Sequence, residues 1–294
     1  MLRCEYGKLL SSHTTLRIGG PVFCWIEPEN ISDLFESIAM AEDRKKAFAI
    51  MGRGSNVLAA AQGFDGVAVY LNKGFDFIEK EGEDVVKVGS GLPLSLLVER
   101  TTEWGLTGCE FLAGIPGSFG GALFMNAGTR DVDNPEIMRE AKDIVLDAAV
   151  LDIKTKEKAT LKKNEIAFKY RASGLDGKCV ISGRLKLDKA DKSAIENRVK
   201  CFMKKREWIK MLGFPSAGSV FKNPANAKPA GRLIEECGLK GAKVGGAEIS
   251  NAHANFIVNT GNATSNDVIK LIEQVRSRVN EKFGINLELE LKVL

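Results

Sequence analysis

The sequence is poor in the residues that build metal centres and serine hydrolase sites. Its 294 residues include two histidines and six cysteines, and the cysteines stand singly, without a C-x-x-C pair. This spacing does not supply the ligand set of a zinc site. No Gly-x-Ser-x-Gly elbow is present, which argues against a serine hydrolase. We therefore expect buried free thiols in a reducing compartment, no metal, and structural roles for His13 and His253.

Long apolar runs and clustered charge are also missing. The N-terminus lacks an apolar stretch of signal-peptide length. The longest uncharged segment, residues 111–129, contains Pro116 and five glycines, which are typical of a loop and not of a membrane span. The net charge of +4 is spread along the chain, so no nucleic-acid surface is indicated. We expect a cytoplasmic protein of two or three domains that binds neither nucleic acid nor membranes.

Glycine is concentrated in two short loops, which read GRGSNVL (52–58) and GIPGSFGGALFMNAG (114–128). Several glycines let backbone N–H groups point at one place without interference from Cβ atoms, and such amide clusters bind phosphate or pyrophosphate. Either loop alone can also be an ordinary turn or a tight crossing of packed elements. Because both loops lead away from predicted strands, together they predict a dinucleotide held between two lobes.

Strand and helix patterns alternate irregularly, which favours an α+β fold over a doubly wound sheet. The first loop also lacks the third glycine of the Rossmann fingerprint and the Lys-Ser/Thr ending of a P-loop. Asn30 and Thr264 are expected to begin helices, and Gly105 and Gly284 to end them. The alternation in LELELKV (287–293) predicts a half-exposed C-terminal strand.

Three polar side chains outside the loops are candidates for chemistry. Ser219 lies in PSAGSVFKNP (215–224), where Pro and Gly can form a rigid bend that projects a hydroxyl, although most such serines bond only nearby backbone. Arg171, expected at the edge of a strand, can pair with a carboxylate or phosphate through two hydrogen bonds, and a surface arginine is the ordinary alternative. Glu290 shares the polar face of the C-terminal strand with Glu288. Spacing alone assigns no reaction to these groups.

Taken in chain order, these motifs resemble one family, the UDP-N-acetylenolpyruvoylglucosamine reductases (UDP-N-acetylmuramate dehydrogenases) of peptidoglycan synthesis, in their shorter variant. The resemblance covers nearly the whole chain and rests on HTTLRIGGP, GRGSNVL, GIPGSFGGALFMNAG, YRAS, PSAGSVFKNP, AGRLIEECGLKG, HANFIVN and LELE. It implies a two-lobed FAD-binding domain of the vanillyl-alcohol-oxidase type followed by a C-terminal α+β substrate-binding domain. We expect residues 1–70 and 71–190 to form the FAD lobes and residues 191–294 the substrate domain, whose last strand can pack back on the lobes.

The resemblance also implies the cofactor and the reaction. FAD would be bound noncovalently, NADPH would be the reductant, and UDP-N-acetylglucosamine enolpyruvate would be reduced to UDP-N-acetylmuramate. We expect a monomer, although the sequence does not determine the oligomeric state. Ser219 would donate a proton to the carbanion-like carbon, while Arg171 and Glu290 would stabilise the enolate of the carboxyl group. We expect Glu290 to be protonated or hydrogen-bonded to a cation, because a bare carboxylate would oppose the developing charge.

Binding residues follow from the same motifs. The cofactor-binding residues are expected in both loops, at Gly52, Arg53, Gly54, Ser55, Asn56, Val57, Gly114, Ile115, Pro116, Gly117, Ser118, Gly120, Gly121, Asn126, Ala127 and Gly128. Substrate-binding residues are expected at Tyr170, Lys210, Lys222 and Asn223.

Two segments depart from the family pattern. Thr129, Arg130 and Asp131 replace the usual Ala, aromatic or His, and Gly, and residues 208–211 carry the usual lysine shifted by one position. Two other functions stay open. An alcohol oxidase on the same scaffold normally tethers its flavin to His or Cys, which neither loop contains. A noncatalytic flavin- or nucleotide-binding module predicts that the three catalytic candidates do not converge.

Overall fold

The computed structural model describes residues 2–294, which form an α+β structure. The α-helices of these residues are α1 Ile31–Asp43, α2 Leu94–Glu103, α3 Phe119–Phe124, α4 Ala141–Ile144, α5 Lys192–Lys205, α6 Ala230–Glu236 and α7 Ser265–Phe283. Short 3-10 helices lie at Leu10–His13, Glu110–Leu112, Lys163–Glu165 and Glu207–Leu212.

The strands are short and are numbered in chain order. They are β1 Cys4–Tyr6, β2 Val22–Ile26, β3 Ala47–Met51, β4 Val57–Leu58, β5 Phe64–Tyr70, β6 Ile78–Glu81, β7 Val85–Gly89, β8 Leu106–Thr107, β9 Gly128–Arg130, β10 Met138–Glu140, β11 Val145–Asp152, β12 Lys158–Lys162, β13 Lys178–Lys186, β14 Asp188–Lys189, β15 Ser216–Ser219, β16 Lys243–Val244, β17 Ala247–Ile249, β18 Phe256–Asn259 and β19 Lys292–Val293.

Three sheets carry most of the structure. A four-stranded sheet has the order β1-β2-β5-β3, a five-stranded sheet has the order β12-β11-β13-β7-β6, and a second four-stranded sheet has the order β15-β18-β17-β16. The five-stranded sheet is antiparallel throughout. The remaining strands pair as β10-β9, β14-β8 and β19-β4.

The chain divides into two compact units. Unit 1 comprises Trp25–Gly52 and Val67–Glu207 together with the chain up to Cys4, and unit 2 comprises Glu5–Cys24, Arg53–Gly66 and Trp208–Leu294. The predicted boundaries at residues 70/71 and 190/191 separate the two expected FAD-binding lobes from each other and from the expected substrate domain. These boundaries stay a prediction.

The core of unit 1 is formed by the five-stranded sheet and its helices. Helix α2 buries one face, made by Leu94, Leu97, Val98 and Thr101. Gly105 follows this helix with φ +65°, a conformation that glycine adopts without strain. Phe202 of α5 is also fully buried in this core.

The core of unit 2 includes the long helix α7. Thr264 Oγ1 accepts the amide of Asp267 at 3.2 Å, Asp267 Oδ2 accepts the amide of Thr264 at 2.9 Å, and Gly284 ends the helix with φ +67°. The predicted caps at both ends are therefore confirmed. The predicted apolar face is buried and consists of Val268, Leu271, Ile272, Val275 and Val279.

Two expectations about exposure were partly wrong. In the C-terminal segment, Leu287 and Leu291 are buried as expected, but Val293 is 57% exposed, and only Lys292–Val293 of the segment forms a strand. The six cysteines are all free, but Cys201 is exposed because it lies on the outer face of α5. No helix among residues 2–294 combines the length and apolar character that crossing a bilayer requires.

Candidate active site

Ser219 and Glu290 lie on adjoining chain segments of unit 2. Ser219 is the last residue of β15, and the residues after it run antiparallel to the C-terminal segment through a bridge between Phe221 and Leu289. The Glu290 amide donates to the carbonyl of Val220 at 2.9 Å. Glu290 is therefore held opposite the residue that follows Ser219.

The two acids of the C-terminal segment have different surroundings. The Glu288 side chain is 79% exposed, and its carboxylate lies 3.6 Å from Lys222 Nζ. Glu290 is half-buried, and its carbonyl accepts a hydrogen bond from Asn56 Nδ2 at 2.9 Å. The structure thus fastens Glu290, and not Glu288, to the first glycine loop. This supports Glu290 as the candidate acid, although its role stays a prediction.

The first glycine loop is also fastened to β15. Gly54 adopts a left-handed conformation with φ +63°, and its carbonyl accepts the amide of Thr15 at 3.1 Å. Thr15 Oγ1 donates to the carbonyl of Ser216 at 2.7 Å. A Cβ atom at Gly218 would lie 3.8 Å from the carbonyl oxygen of Ser55. Thr15 was not singled out from the sequence, although it lies within the motif HTTLRIGGP.

The two glycine loops touch within unit 1. A Cβ atom at Gly52 would lie 2.7 Å from Ser118 Oγ, so the absence of a side chain at Gly52 permits this contact. A Cβ atom at Gly120 would likewise lie 2.8 Å from Ser90 Cβ. The hydroxyl of Ser90 is buried and has no hydrogen-bond partner among the described residues. Close backbone approach and a buried polar atom beside it fit a site for a phosphate-bearing cofactor.

Not every group of the second loop is available to a ligand. The amide of Gly120 donates to the carbonyl of Ser90 at 2.8 Å. Asn126 is fully buried, and its amide group bonds the carbonyl of Lys169 at 3.0 Å and the amide of Lys142 at 3.1 Å. The Gly120 amide and the Asn126 side chain therefore shape the loop, so any contact that these residues make with the cofactor must use their other atoms.

Arg171 lies in a turn, so the prediction that it lies at a strand edge was wrong. Its φ is +54°, and Lys169 and Ala172 pair across it. Its Nη2 donates to the carbonyl of Gly128 at 2.9 Å, and its guanidinium lies 5.1 Å from the ring centre of Tyr170. A positive φ is uncommon for a long side chain, although Lys45 and Lys156 share it in this chain. The turn therefore holds Arg171 against the end of the second glycine loop.

The four expected substrate-binding residues have different surroundings. Tyr170 packs under Arg171, and Lys222 faces Glu288. Asn223 Oδ1 accepts the amide of Ala230 at 3.0 Å, so it caps the start of α6. Lys210 is exposed in the 3-10 helix Glu207–Leu212. Contacts of these residues with substrate stay predictions.

The departing segment 129–131 builds an ion-pair network that the sequence did not reveal. Asp131 is 2% exposed, and its carboxylate lies 2.6 Å from Arg139 Nε and 3.3 Å from Arg198 Nη2. Burial opposes ionisation of Asp131, but the hydrogen bond from Arg139 and the charge of Arg198 outweigh it and lower the pKa of Asp131. The segment is therefore fastened to α5.

The chain matches two family models. Residues 24–153 match the FAD binding domain, and residues 210–294 match the UDP-N-acetylenolpyruvoylglucosamine reductase, C-terminal domain. A UDP-N-acetylenolpyruvoylglucosamine reductase from Thermotoga sp. (strain RQ2) is 42% identical over 286 residues, which are 97% of this chain and 91% of the relative.

Solved structures give the same result. The crystal structure of UDP-N-acetylenolpyruvylglucosamine reductase from Thermus caldophilus matches with a TM-score of 0.82 and 36% identity, covering 100% of this chain and 99% of that one. The structure of 6-hydroxy-D-nicotine oxidase from Arthrobacter nicotinovorans has a TM-score of 0.50 and 16% identity over 64% of this chain and 42% of the oxidase, which concerns the fold alone. The predicted α+β fold, with an FAD-binding domain of the vanillyl-alcohol-oxidase type and a C-terminal substrate-binding domain, is confirmed. The chain belongs to the UDP-N-acetylenolpyruvoylglucosamine reductase family.

Proposed function

We propose that this chain catalyses the NADPH-dependent, FAD-mediated reduction of UDP-N-acetylglucosamine enolpyruvate to UDP-N-acetylmuramate in peptidoglycan synthesis. Family membership over 97% or more of the chain supports the reaction. The structural observation that carries the proposal is the pairing of the segment after Ser219 with the segment that contains Glu290. It places a hydroxyl and a carboxyl group on adjoining backbones beside the first glycine loop.

The glycine loops would hold the cofactor. Gly52 and Gly120 let their backbones pack closely against Ser118 and Ser90, and Ser55 and Ser118 offer hydroxyl groups in the same loops. When bound, FAD supplies the hydride chemistry between NADPH and the enolpyruvyl carbon. The chain itself supplies position, charge and the proton.

Ser219 would give its hydroxyl proton to the carbon next to the substrate carboxylate after hydride has reached the other carbon. A serine hydroxyl is a weak acid, but a strongly basic carbon accepts its proton when the two lie within hydrogen-bond reach. Arg171 would pair with the substrate carboxylate, whose negative charge grows as the electrons arrive. Glu290 would stabilise the same enolate as a hydrogen-bond donor.

Three further features belong to this proposal. Residues 1–70 and 71–190 would bind FAD, and residues 191–294 would bind the UDP-sugar. Arg171 lies in unit 1, whereas Ser219 and Glu290 lie in unit 2, and all three side chains would act on the same substrate.

The protein would act as a cytoplasmic monomer that needs neither a membrane nor nucleic acid. Light scattering, which measures its mass in solution, tests the oligomeric state.

One assay tests the function directly. The purified protein should show an oxidised flavin spectrum that acid precipitation removes, because the cofactor is noncovalent. It should oxidise NADPH rapidly only when UDP-N-acetylglucosamine enolpyruvate is added, and the product should be UDP-N-acetylmuramate by mass spectrometry. A protein that refuses added FAD, or whose NADPH oxidation consumes oxygen and ignores the enolpyruvate, contradicts the proposal.

A further inference from the structure

Arg206 lies against the second glycine loop, although no motif in the sequence predicted a role for it. It follows directly after α5, and its amide donates to the carbonyl of Met203 at 3.0 Å. A Cβ atom at Gly114 would lie 2.9 Å from Arg206 Cδ and 3.1 Å from Met203 Sδ. Gly114 has φ +73°, a conformation that also favours glycine. The missing side chain at Gly114 therefore makes the space in which the stem of Arg206 lies.

The charge of Arg206 lacks an acidic partner. Within residues 2–294, no Asp or Glu carboxylate forms an ion pair with it. Burial, and then the positive charge of Arg171, lower the pKa of Arg206 to about 10. The guanidinium is still charged at neutral pH, so two cations of unit 1 stand near one another in a partly desolvated place. An anion that binds beside the two guanidinium groups lowers their mutual repulsion.

The position of Arg206 is fixed by the ion-pair network. Arg198 of α5 contacts the carboxylate of Asp131, and Lys205 Nζ donates to the carbonyl of Arg130 at 2.9 Å. Phe202 of the same helix is fully buried in the core of unit 1. The end of α5 is thus held from both sides. Arg206 projects from a rigid element, as a binding group requires.

We propose that Arg206 and Arg171 together bind the carboxylate of the enolpyruvyl group, which makes Arg206 a substrate-binding residue. This inference rests on the proposed function. The carboxylate carries one negative charge in the substrate and gains a second when the electrons delocalise into it as an enolate. A single guanidinium balances only the first charge. A second guanidinium beside it attracts the carboxylate of the bound substrate and also balances the charge that develops during the reaction.

Binding measurements on the FAD-loaded protein test this assignment. Titration calorimetry compares UDP-N-acetylglucosamine enolpyruvate with UDP-N-acetylglucosamine, which has the same diphosphate and no carboxylate. Arg206→Met removes the charge and keeps an apolar stem, and we expect it to weaken binding of the enolpyruvate by roughly tenfold or more. The affinity of this variant for UDP-N-acetylglucosamine should stay within about twofold of the wild-type affinity. Arg206→Lys should lie between, because an ammonium cannot bind a carboxylate through a planar fork.

Lys204→Met is the matched control. Lys204 is an exposed cation of α5 two residues from Arg206, so its loss changes the net charge equally without touching the loop. We expect both ligands to bind this variant as they bind wild type.

Other outcomes overturn the assignment. Equal weakening of both ligands by Arg206→Met would place Arg206 at the diphosphate or in a purely structural role, and unchanged binding of both would remove it from the site. If Arg206→Met loses FAD, the comparison is read from Arg206→Lys, where a wild-type ratio of the two affinities rejects the proposal. If the wild-type protein turns over the enolpyruvate but the Arg206 variants do not show the expected change in binding, the proposed function stands and only the role of Arg206 is rejected. If the wild-type protein binds neither ligand, both the proposed function and the role of Arg206 are rejected.

Discussion

The two units differ in the candidate groups that they contain. Unit 1 contains two cations, Arg171 and Arg206, beside the second glycine loop. Unit 2 contains a hydroxyl and a carboxyl group, with Ser219 and Glu290 on paired segments beside the first loop. Under the proposed function, the cations of unit 1 bind the substrate carboxylate, whereas unit 2 supplies the proton from Ser219 and a neutral hydrogen-bond donor from Glu290. Variants of Ser219 should therefore disturb proton delivery and spare the binding of the carboxylate.

The largest expected effect concerns the proton. Ser219→Ala should slow reduction of the enolpyruvate by roughly 10²-fold to 10⁴-fold, the usual contribution of a positioned acid. Flavin reduction by NADPH should be unchanged, because it needs no proton from unit 2. Stopped-flow absorbance separates the two half-reactions. Equal slowing of both would show that Ser219 positions the cofactor and is not the acid.

The next effect distinguishes the two acids of the C-terminal segment. Glu290→Ala should lower turnover by about 10²-fold, comparable with the loss of a group that stabilises an oxyanion. Glu290→Gln should retain more activity than Glu290→Ala, because an amide can still donate a hydrogen bond. Glu288→Gln is the control and should stay within about twofold, because an exposed ion pair contributes little. If Glu288→Gln loses more turnover than Glu290→Gln does, then Glu288, and not Glu290, is the catalytic acid.

Cofactor retention should respond to the contact between the loops in unit 1. Gly52→Ala places a methyl group 2.7 Å from Ser118 Oγ, and we expect roughly tenfold weaker FAD binding, because the overpacked loop must shift. Removing the hydroxyl in the double variant with Ser118→Ala relieves this overlap, so the double variant should bind FAD more tightly than Gly52→Ala and about as tightly as Ser118→Ala alone. Fluorescence titration of the apoprotein with FAD measures both. If the double variant binds FAD no more tightly than Gly52→Ala does, another contact, and not the one with this hydroxyl, causes the loss of affinity.

The smallest effect is on stability. Asp131→Asn removes a buried acceptor of Arg139 and Arg198, and it should lower the free energy of unfolding by about 2 kcal/mol at pH 7. The folded-state pKa of Asp131 is lowered, so this contribution is full above the ordinary Asp pKa near 3.8 and is lost as pH falls through the folded value.

Urea denaturation at pH 7 and pH 3 measures this difference between wild type and variant, which should shrink at the lower pH. Asp133→Asn, which changes an exposed carboxylate paired with Arg198, should cost less than about 1 kcal/mol. If the loss of unfolding free energy caused by Asp131→Asn is the same at both pH values, lost packing, and not lost charge, causes the destabilisation.

Local rules predicted much of the fold. Asn30 Oδ1 accepts the amide of Asp33 at 3.0 Å, as the pattern at the start of α1 indicated, and Gly284 ends α7. These features depend on neighbouring residues, so the sequence contains them. The alternation of the C-terminal segment failed at Val293, which is 57% exposed although it pairs with the buried Leu58, a residue far away along the chain.

The parts of the site that escaped prediction depend on distant contacts. Nothing near Arg171 in the sequence indicates a turn, because no glycine, proline or asparagine occupies the positions beside it. Arg206 looked like one more basic residue at the end of a helix, and its burial depends on the absence of a side chain at Gly114. The pairing of Asn56 with Glu290 likewise has no local signal. Motif resemblance identified Glu290 and Ser219, whereas periodicity alone could not.

The hydrogen bond between Asn56 and Glu290 joins residues 234 positions apart. A ribosome that adds 5–20 residues per second needs roughly 10–50 s to travel that distance. The first loop therefore leaves the ribosome long before its partner exists, and it gains this support only after the intervening residues have been made. Capture of the flavin by this loop, as proposed above, would consequently come late in the synthesis of the chain.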